Sequence, residues 1–366
     1  MSRVGRETIP CYEPSFGQEE IILLTKVIKN GWLSEKNFTR EFEEKLARIC
    51  GRLHALAFSH GTDALITGMK ALGIGEGDEV IVPSLAHSAD PNAIAATGAT
   101  PIFADVDENT MCLNVATIQK VRTDKTKAIL FIALYGSAKG IDAVSSYARR
   151  EKLYLVNDCA PALFGVYKKR SIASYGEFSM LSFFADKTIT TGEGGMLLTD
   201  KSSLIDEANI YKHDGRRERG VDLIERRGYN FRITELQSAV GVAQLKKAPR
   251  FVFRKRAILK AYTKRLKGVS EVRVFDFANE SDICPHRVVI FVPEAEPLIK
   301  HLVARGIGAR TLFMPMHSQP CYNTGEKFPM TEKLYKTGVC LPSAPSLRDE
   351  QVGFVCEIIK NFYLRI

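Results

Sequence analysis

The sequence predicts an α/β protein built on a mostly parallel sheet, with a smaller α+β unit after it, and three observations carry that expectation. From residue 53, short β-rich runs alternate with amphipathic helical segments, the order that a helix-covered parallel sheet requires. Glycines close several of the helical segments, as Gly73 closes the run Ala64–Leu72. Beyond about residue 245 the alternation stops, and a long basic helix leads into strands and helices of mixed order. A chain of 366 residues is long enough for two domains. The expected division is a large α/β domain with an N-terminal arm over 1–245 and a small α+β domain over 246–366.

Taken in order, Gln18–Lys29 carries apolar residues at Ile21, Ile22, Leu24 and Ile28 and closes on Asn30-Gly31, the pattern of a helix and its C-cap. Predicted strands follow at His54–Phe58, Glu79–Val82, Pro101–Ala104, Ala128–Leu134, Leu153–Asn157, Met180–Phe183 and Met196–Thr199. Helices between them start near Thr62, Asp90, Val115, Ile141 and Ser203. In the C-terminal part a helix over Pro249–Leu266 leads to strands near Val272 and Val288, then to helices over Pro297–Arg305 and Asp349–Phe362.

Composition narrows the function. The longest apolar stretches, such as Ala128–Leu134, are far too short to span a bilayer, and the segment MSRVGRETIPCYEPSFG has no apolar signal-peptide core. A cytosolic protein without a membrane partner is therefore expected. Eight cysteines lie without a CxxC pair or a zinc-type Cys/His spacing, so reduced thiols and no metal are expected. The net charge of +9 is dispersed apart from the run His213–Arg219. With no nucleic-acid motif and no array of stacking aromatics, nucleic acid is not an expected partner. A solvated basic surface accounts for most such excesses, and steering of an anionic substrate is the functional alternative.

Three segments carry chemistry. Lys187 follows a predicted strand in a loop that ends on Gly192, Gly194 and Gly195. A lysine attacks an aldehyde when its amine is deprotonated or already held as an imine, and glycines let backbone approach a planar ligand. By itself a lysine near glycines is ordinarily a surface lysine. Asp158 stands at the C-terminal end of an apolar strand, where ligands gather in open α/β sheets. It suits pairing with a protonated pyridine nitrogen, and equally the N-cap of a following turn. Gly61-Thr62 joins a strand to a helix, so free backbone N–H groups and the Thr62 hydroxyl form a phosphate cradle or, more simply, a cap. Each lies at a strand's C-terminal end, so one crevice can gather all three. The combination points to pyridoxal phosphate without naming a substrate.

Longer tracts resemble a known family. Ser59-x-Gly61-Thr62-x-Ala64-Leu65, the run Ala71–Ser84, Asn92-Ala-Ile, Leu134-Tyr-Gly136, Asp158-x-Ala and Ser182-Phe-x-x-x-Lys187 with Gly192-Glu-Gly-Gly195 are similar to the DegT/DnrJ/EryC1/StrS sugar aminotransferases. So is Gly228-Tyr-Asn-Phe-Arg232-x-x-Glu-Leu-Gln237. With Pro315-Met-His317 and Pro320-x-Tyr322, the tract Phe183–Gly195 resembles the perosamine-synthase branch. The resemblance implies the aspartate-aminotransferase type of fold (fold type I) and a homodimer with shared active sites. It implies pyridoxal 5′-phosphate as cofactor, passing through pyridoxamine phosphate. It makes Lys187 the Schiff-base lysine and Asp158 the ring-nitrogen partner. Gly61, Thr62 and Ser182 would hold the phosphate, and Asn230 would reach that of the neighbouring subunit. His87 takes the place of a stacking aromatic, and His317 and Tyr322 are candidates for the sugar-nucleotide pocket.

Three residues depart from the family pattern. Pro161 stands where Gln, His or Glu is common, His60 where Asn is usual and Asn157 where Glu is common. The implied reaction moves an amino group from an amino acid, glutamate by resemblance, to a nucleotide-linked keto-deoxy-sugar, with a GDP-linked 4-keto-6-deoxyhexose favoured. A keto-cyclitol aminotransferase would keep the same cofactor residues. A sugar dehydratase of this fold carries His in place of Lys187. A non-catalytic binding protein on the same scaffold would retain Lys187 and Asp158 without need.

Overall fold

The structure is a computed structural model that describes residues 8–218, 220–277, 282–323 and 325–363. Helix α1 (Gln18–Asn30) ends where Gly31 turns left-handed, and α2 (Asn37–Cys50) follows. Strand β1 (His54–Phe58) leads into α3 (Gly61–Ala71), β2 (Glu79–Pro83), α4 (Ala89–Thr97), β3 (Thr100–Ala104), α5 (Val115–Val121), β4 (Thr126–Ile132), α6 (Ile141–Arg150) and β5 (Tyr154–Asp158). A two-stranded ribbon, β6 (Val166–Tyr167) and β7 (Arg170–Ser171), precedes β8 (Phe178–Ser182), β9 (Gly195–Thr199) and α7 (Ser202–Lys212).

Seven of these strands form one sheet in the order β1-β9-β8-β5-β4-β2-β3. From β3 to β8 the neighbours are parallel; β9 runs antiparallel to β8, and β1 antiparallel to β9. The strands are apolar on both faces, as a sheet covered on both sides demands. One face packs Ile81, Ile129, Phe131 and Leu155 under α2 and α6, and the other packs Val80, Val82, Leu130 and Val156 under α3 and α4.

The last part of the chain begins with α8 (Glu235–Leu266), followed by β10 (Arg273–Val274), β11 (Val288–Phe291), α9 (Ala295–Val303), β12 (Arg310–Thr311), α10 (Pro329–Thr337), β13 (Gly338–Leu341) and α11 (Asp349–Tyr363). Its antiparallel sheet has the order β10-β11-β13-β12. Here the structure departs from the expected helix start at Pro249. Thr234 caps the helix by accepting from Gln237 N–H, and the Gln237 side chain returns to Thr234 N–H. The helix then runs through Pro249, although an interior proline costs about 3 kcal/mol. Packing on both sides offsets that cost: Val242, Leu245, Ala248 and Phe251 join the core of the first sheet, and Ile258, Tyr262 and Leu266 join the core of the second.

Helix α2 was not among the predicted helices, and its role is to brace α8. Phe42 is fully buried, and a Cβ at Gly241 on α8 would lie 2.6 Å from its ring. Burying such a side chain stabilises by about 1.5–3 kcal/mol, and only glycine admits the ring so closely. Among the described residues, no helix is long and apolar enough to cross a membrane, and no group of His, Cys, Asp and Glu is arranged to hold a metal.

Candidate active site

A cavity of about 560 Å³ opens at the C-terminal ends of β2, β4, β5 and β8, and residues of the second sheet's region close its far wall. Its size suits a small-molecule ligand. Lys187, Asp158, Gly61, Thr62, Ser182 and His87 all line it, although they are spread over 127 positions of sequence.

The β5 ladder delivers Asp158. Its residues pair with β4 on one side and β8 on the other, and the strand ends as the carboxylate enters the cavity. Asp158 Oδ1 accepts from Ala160 N–H at 2.7 Å. The turn Phe183–Gly192 delivers Lys187. Thr191 N–H and the Thr190 hydroxyl both donate to the Phe183 carbonyl, Gly192 N–H donates to Thr190 Oγ1, and Gly192 takes φ 85°, a left-handed value suited to glycine. Lys187 Nζ has no hydrogen-bond partner among the described residues; Asp186 Oδ1 lies 3.6 Å away.

The start of α3 forms the anion cradle. His60 occupies the N-cap in extended conformation without a side-chain cap bond, so the first backbone N–H groups face the cavity. Two glycines make this approach possible. A Cβ at Gly61 would meet Met180 Sδ at 2.9 Å and Ser182 Cβ at 3.1 Å, and one at Gly195 would meet the His60 carbonyl oxygen at 2.2 Å. Ser182 is thus held against the start of the helix, as a third wall of the cradle.

His87 stands edge-on to Phe313, with centroids 5.4 Å apart, and its Nδ1 accepts from Ala89 N–H at 3.1 Å. Burial, helped by the charge of Lys187, holds its pKa below the ordinary imidazole value, so the ring is neutral at pH 7. Phe313 also stacks on Tyr135 at 5.8 Å and donates its N–H to the Tyr135 hydroxyl. Tyr135 itself has φ 54°, and its carbonyl accepts from His286 N–H. This strained, buried residue therefore ties the far wall to the first sheet.

The remaining candidates lie elsewhere. His317 is buried behind the wall: its Nδ1 is 2.6 Å from Ser84 Oγ, its Nε2 is 3.4 Å from Glu332, and it does not line the cavity. Tyr322 donates to Asn92 Oδ1 at 2.7 Å and packs edge-on to Phe103, also outside the lining. The neighbours of His317, Met316 and Gln319, reach the cavity instead. Asn230 is exposed, with its Oδ1 accepting from Arg232 Nε, and it too lies outside the lining. Arg219, at the end of the basic run, lies outside the described residues.

Residues not singled out from the sequence complete the walls: Asp90, Asp186, His286 and Arg310. Asp186 Oδ2 accepts from Arg287 Nη2 at 2.5 Å, and His286 donates through Nε2 to the Asp186 carbonyl. Burial works against the Asp186 charge, but His286, Lys187 and Arg287 outweigh it and hold the carboxyl well below the usual range. Burial and the Lys187 charge push His286 down to about 3, so its ring is neutral. Arg310 has no ion-pair partner among the described residues and stands over the Phe313 ring at 5.3 Å. Asp186 adjoins Lys187 in sequence and was open to notice there; Asp90 reads locally as a helix-start acid, and Arg310 gives no local signal.

An open α/β sheet that gathers a lysine, a carboxylate and a helix-start anion cradle in one cavity defines the large fold unit of an aminotransferase-type enzyme. The chain belongs to the DegT/DnrJ/EryC1/StrS aminotransferase family, whose model matches residues 14–360. It is similar to the GDP-perosamine synthase of Escherichia coli O157:H7, 38% identical with 97% of this chain and 98% of that protein covered. It is 34% identical to the GDP-perosamine synthase of Vibrio cholerae, over 97% and 99% of the two chains. Its fold matches that of the aminotransferase TlmJ from Streptoalloteichus hindustanus, with a TM-score of 0.93, 26% identity and 97% and 98% of the chains covered.

Proposed function

We propose that the protein is a pyridoxal-phosphate-dependent aminotransferase that transfers an amino group from an amino acid, glutamate first, to a nucleotide-linked 4-keto-6-deoxyhexose, GDP-linked by its similarity to the perosamine synthases. The observation that carries this reading is the convergence of Lys187, Asp158 and the start of α3 on one cavity. The residues fit the cofactor. The cradle at Gly61 is closed to a Cβ but open to an anion, and a buried carboxylate faces the same space from β5. Bound there, pyridoxal phosphate supplies an aldehyde for amine attachment and a ring that takes up the electron pair left when a carbon-bound proton leaves.

The chain's own groups do the rest. The N–H groups of Gly61 and Thr62 and the hydroxyls of Thr62 and Ser182 bind the phosphate. Asp158 would hold a proton at the ring nitrogen by charge pairing, and neutral His87 would offer an aromatic face to the ring. Lys187 Nζ would hold the cofactor through its aldehyde, and the same amine, freed, would serve as base and then acid for a carbon-bound proton of the substrate. Asp186 Oδ1 stands 3.6 Å from that amine. Arg310, without an ion-pair partner among the described residues, would meet an anionic group of the substrate. His317 and Tyr322 shape the sugar-nucleotide pocket from behind, through Met316 and Gln319 and through Asn92.

The working form is a homodimer in which Asn230 reaches the phosphate held by a second copy, and the compartment is the cytoplasm. The exposed position of Asn230 supports the first of these. The chain divides within α8 into a large domain over 1–245 and a small one over 246–366.

The test is the absorbance spectrum of the pyridoxal-phosphate-loaded protein before and after L-glutamate. Loss of the lysine-bound cofactor band and rise of the pyridoxamine band is the expected result. A cofactor band that no amino donor changes would favour a binding protein, and a sugar dehydratase would be read from the product formed.

A further inference from the structure

The cavity is lined by a buried carboxyl group that the reaction above does not use. Asp90 is the second residue of α4, 1% exposed, and its side chain turns into the cavity beside Asp158. No donor among the described residues reaches Asp90 Oδ1, a buried oxygen left orphaned at a cost to the fold. The two carboxyls stand within hydrogen-bonding reach of each other. Asp158, by contrast, is served: it accepts from Ala160 N–H and faces the charge of Lys187.

We propose that Asp90 is a positioning residue that stays protonated and donates a hydrogen bond to Asp158, so that Asp158 presents a stabilised carboxylate to the cofactor's ring nitrogen. This rests on the reading of Asp158 as the ring-nitrogen partner. Two buried carboxylates in contact cannot both be ionised without a cation between them, so one must keep its proton. The surroundings decide which. The groups facing Asp90 are Asp158 from the end of β5 and Lys187 from the turn after β8, with His87 on the same wall held neutral. Burial and then the Asp158 charge raise Asp90 well above the carboxylate range; burial raises Asp158 too, but less, because Ala160 N–H, Lys187 and Asp90 itself oppose it. The proton therefore rests on Asp90. As a donor it satisfies the orphan oxygen and lowers the basicity of Asp158, which keeps the second proton of the system on the ring nitrogen rather than on Asp158. A side chain unable to donate would leave Asp158 more basic and more readily protonated, and so a weaker partner for a cationic ring.

Two variants and one spectroscopic measurement separate the outcomes. Asp90→Asn keeps a donor of the same shape, and Asp90→Leu keeps the branched shape without a donor. The expected dissociation constant for pyridoxal phosphate is within about threefold of wild type for Asp90→Asn and about tenfold weaker for Asp90→Leu. The pH at which the bound cofactor's absorbance titrates should shift only for Asp90→Leu. Equal affinity and equal titration for Asp90→Leu and wild type, or an equal loss in both variants, would overturn the proposal. Should Asp90→Leu not fold, infrared difference spectra of cofactor-free wild type minus Asp90→Asn decide the matter. A protonated carboxylic-acid band lost on substitution and still present at pH 8 supports it, and its absence overturns it. Asp158→Asn is the control for the underlying reading. If it leaves cofactor affinity unchanged, the ring-nitrogen assignment fails; if it weakens affinity while Asp90→Leu does not, only the role of Asp90 fails.

Discussion

Lys187 and Lys212 are both held inside the fold among carboxylates, and they are held in opposite ways. Lys212 is 2% exposed, donates to Glu35 Oε1 at 2.7 Å and to the Ala57 carbonyl at 3.1 Å, and lies over the Phe58 ring. Glu35 completes the cluster by meeting His213 Nε2 at 3.0 Å with its other oxygen. Lys187 has an open cavity before it, no hydrogen bond to its amine among the described residues, and Asp186 at a distance too long for one. A buried lysine whose donors are satisfied is structural; one left unsatisfied beside a cavity retains its amine for chemistry.

The largest effect expected from breaking this contrast is at Lys187. Lys187→Ala should abolish turnover and remove the lysine-bound cofactor band while leaving the far-ultraviolet circular dichroism unchanged, and residual turnover near wild type would overturn the assignment. Lys212→Met should do the reverse. It leaves Glu35 buried without its main partner, a loss of about 3–5 kcal/mol measurable as a lower urea midpoint, whereas Lys187→Met should leave that midpoint nearly unchanged.

Titration sharpens the comparison. Burial opposes the charge of Glu35, but His213 and Lys212 outweigh it and pull the carboxyl to about 2. A depressed carboxyl stabilises the fold above its unfolded pKa, so this contribution is full above about 4.5 and is lost as the pH falls towards 2. Glu35→Gln should flatten that part of the acid-unfolding curve. The smallest effect concerns a third lysine, Lys255, which burial pushes down to about 8 while it donates to the His286 and Ser343 carbonyls. Between about 8 and its ordinary 10.5 the unfolded chain binds more protons there than the folded one, so stability gains from this group as pH rises. Lys255→Met should remove that gain, seen as a smaller stability difference between pH 8 and 10.

Much of this was legible in the sequence. The seven strands of the first sheet begin and end within two residues of where their apolar runs place them, because short runs bounded by glycine and polar turns carry their own limits. Some of the residues that line the cavity were legible for the same reason: Asp158 ends a strand, and Gly61-Thr62 opens a helix. Helix α8 was misplaced at its start because Pro249 is a strong local signal, and the packing that overrides it comes from two separate cores. His317 and Tyr322 were assigned to the pocket by motif alone; their hydrogen bonds run to Ser84 and Asn92, and neither residue lines the cavity.

The sequence by itself determined the alternation of strands and helices, the lysine and carboxylate at strand ends, and the glycines at Gly61 and Gly195 that admit close backbone approach. These follow from local periodicity and steric size, which a short window contains. Only the tertiary structure decided that β9 runs against the other strands of its sheet, that Arg310 enters the cavity from the second sheet, and that Asp90 meets Asp158. Strand direction, cavity walls and the charge state of a buried pair depend on what residues far apart in sequence do to each other's solvent and field. No local pattern carries that information.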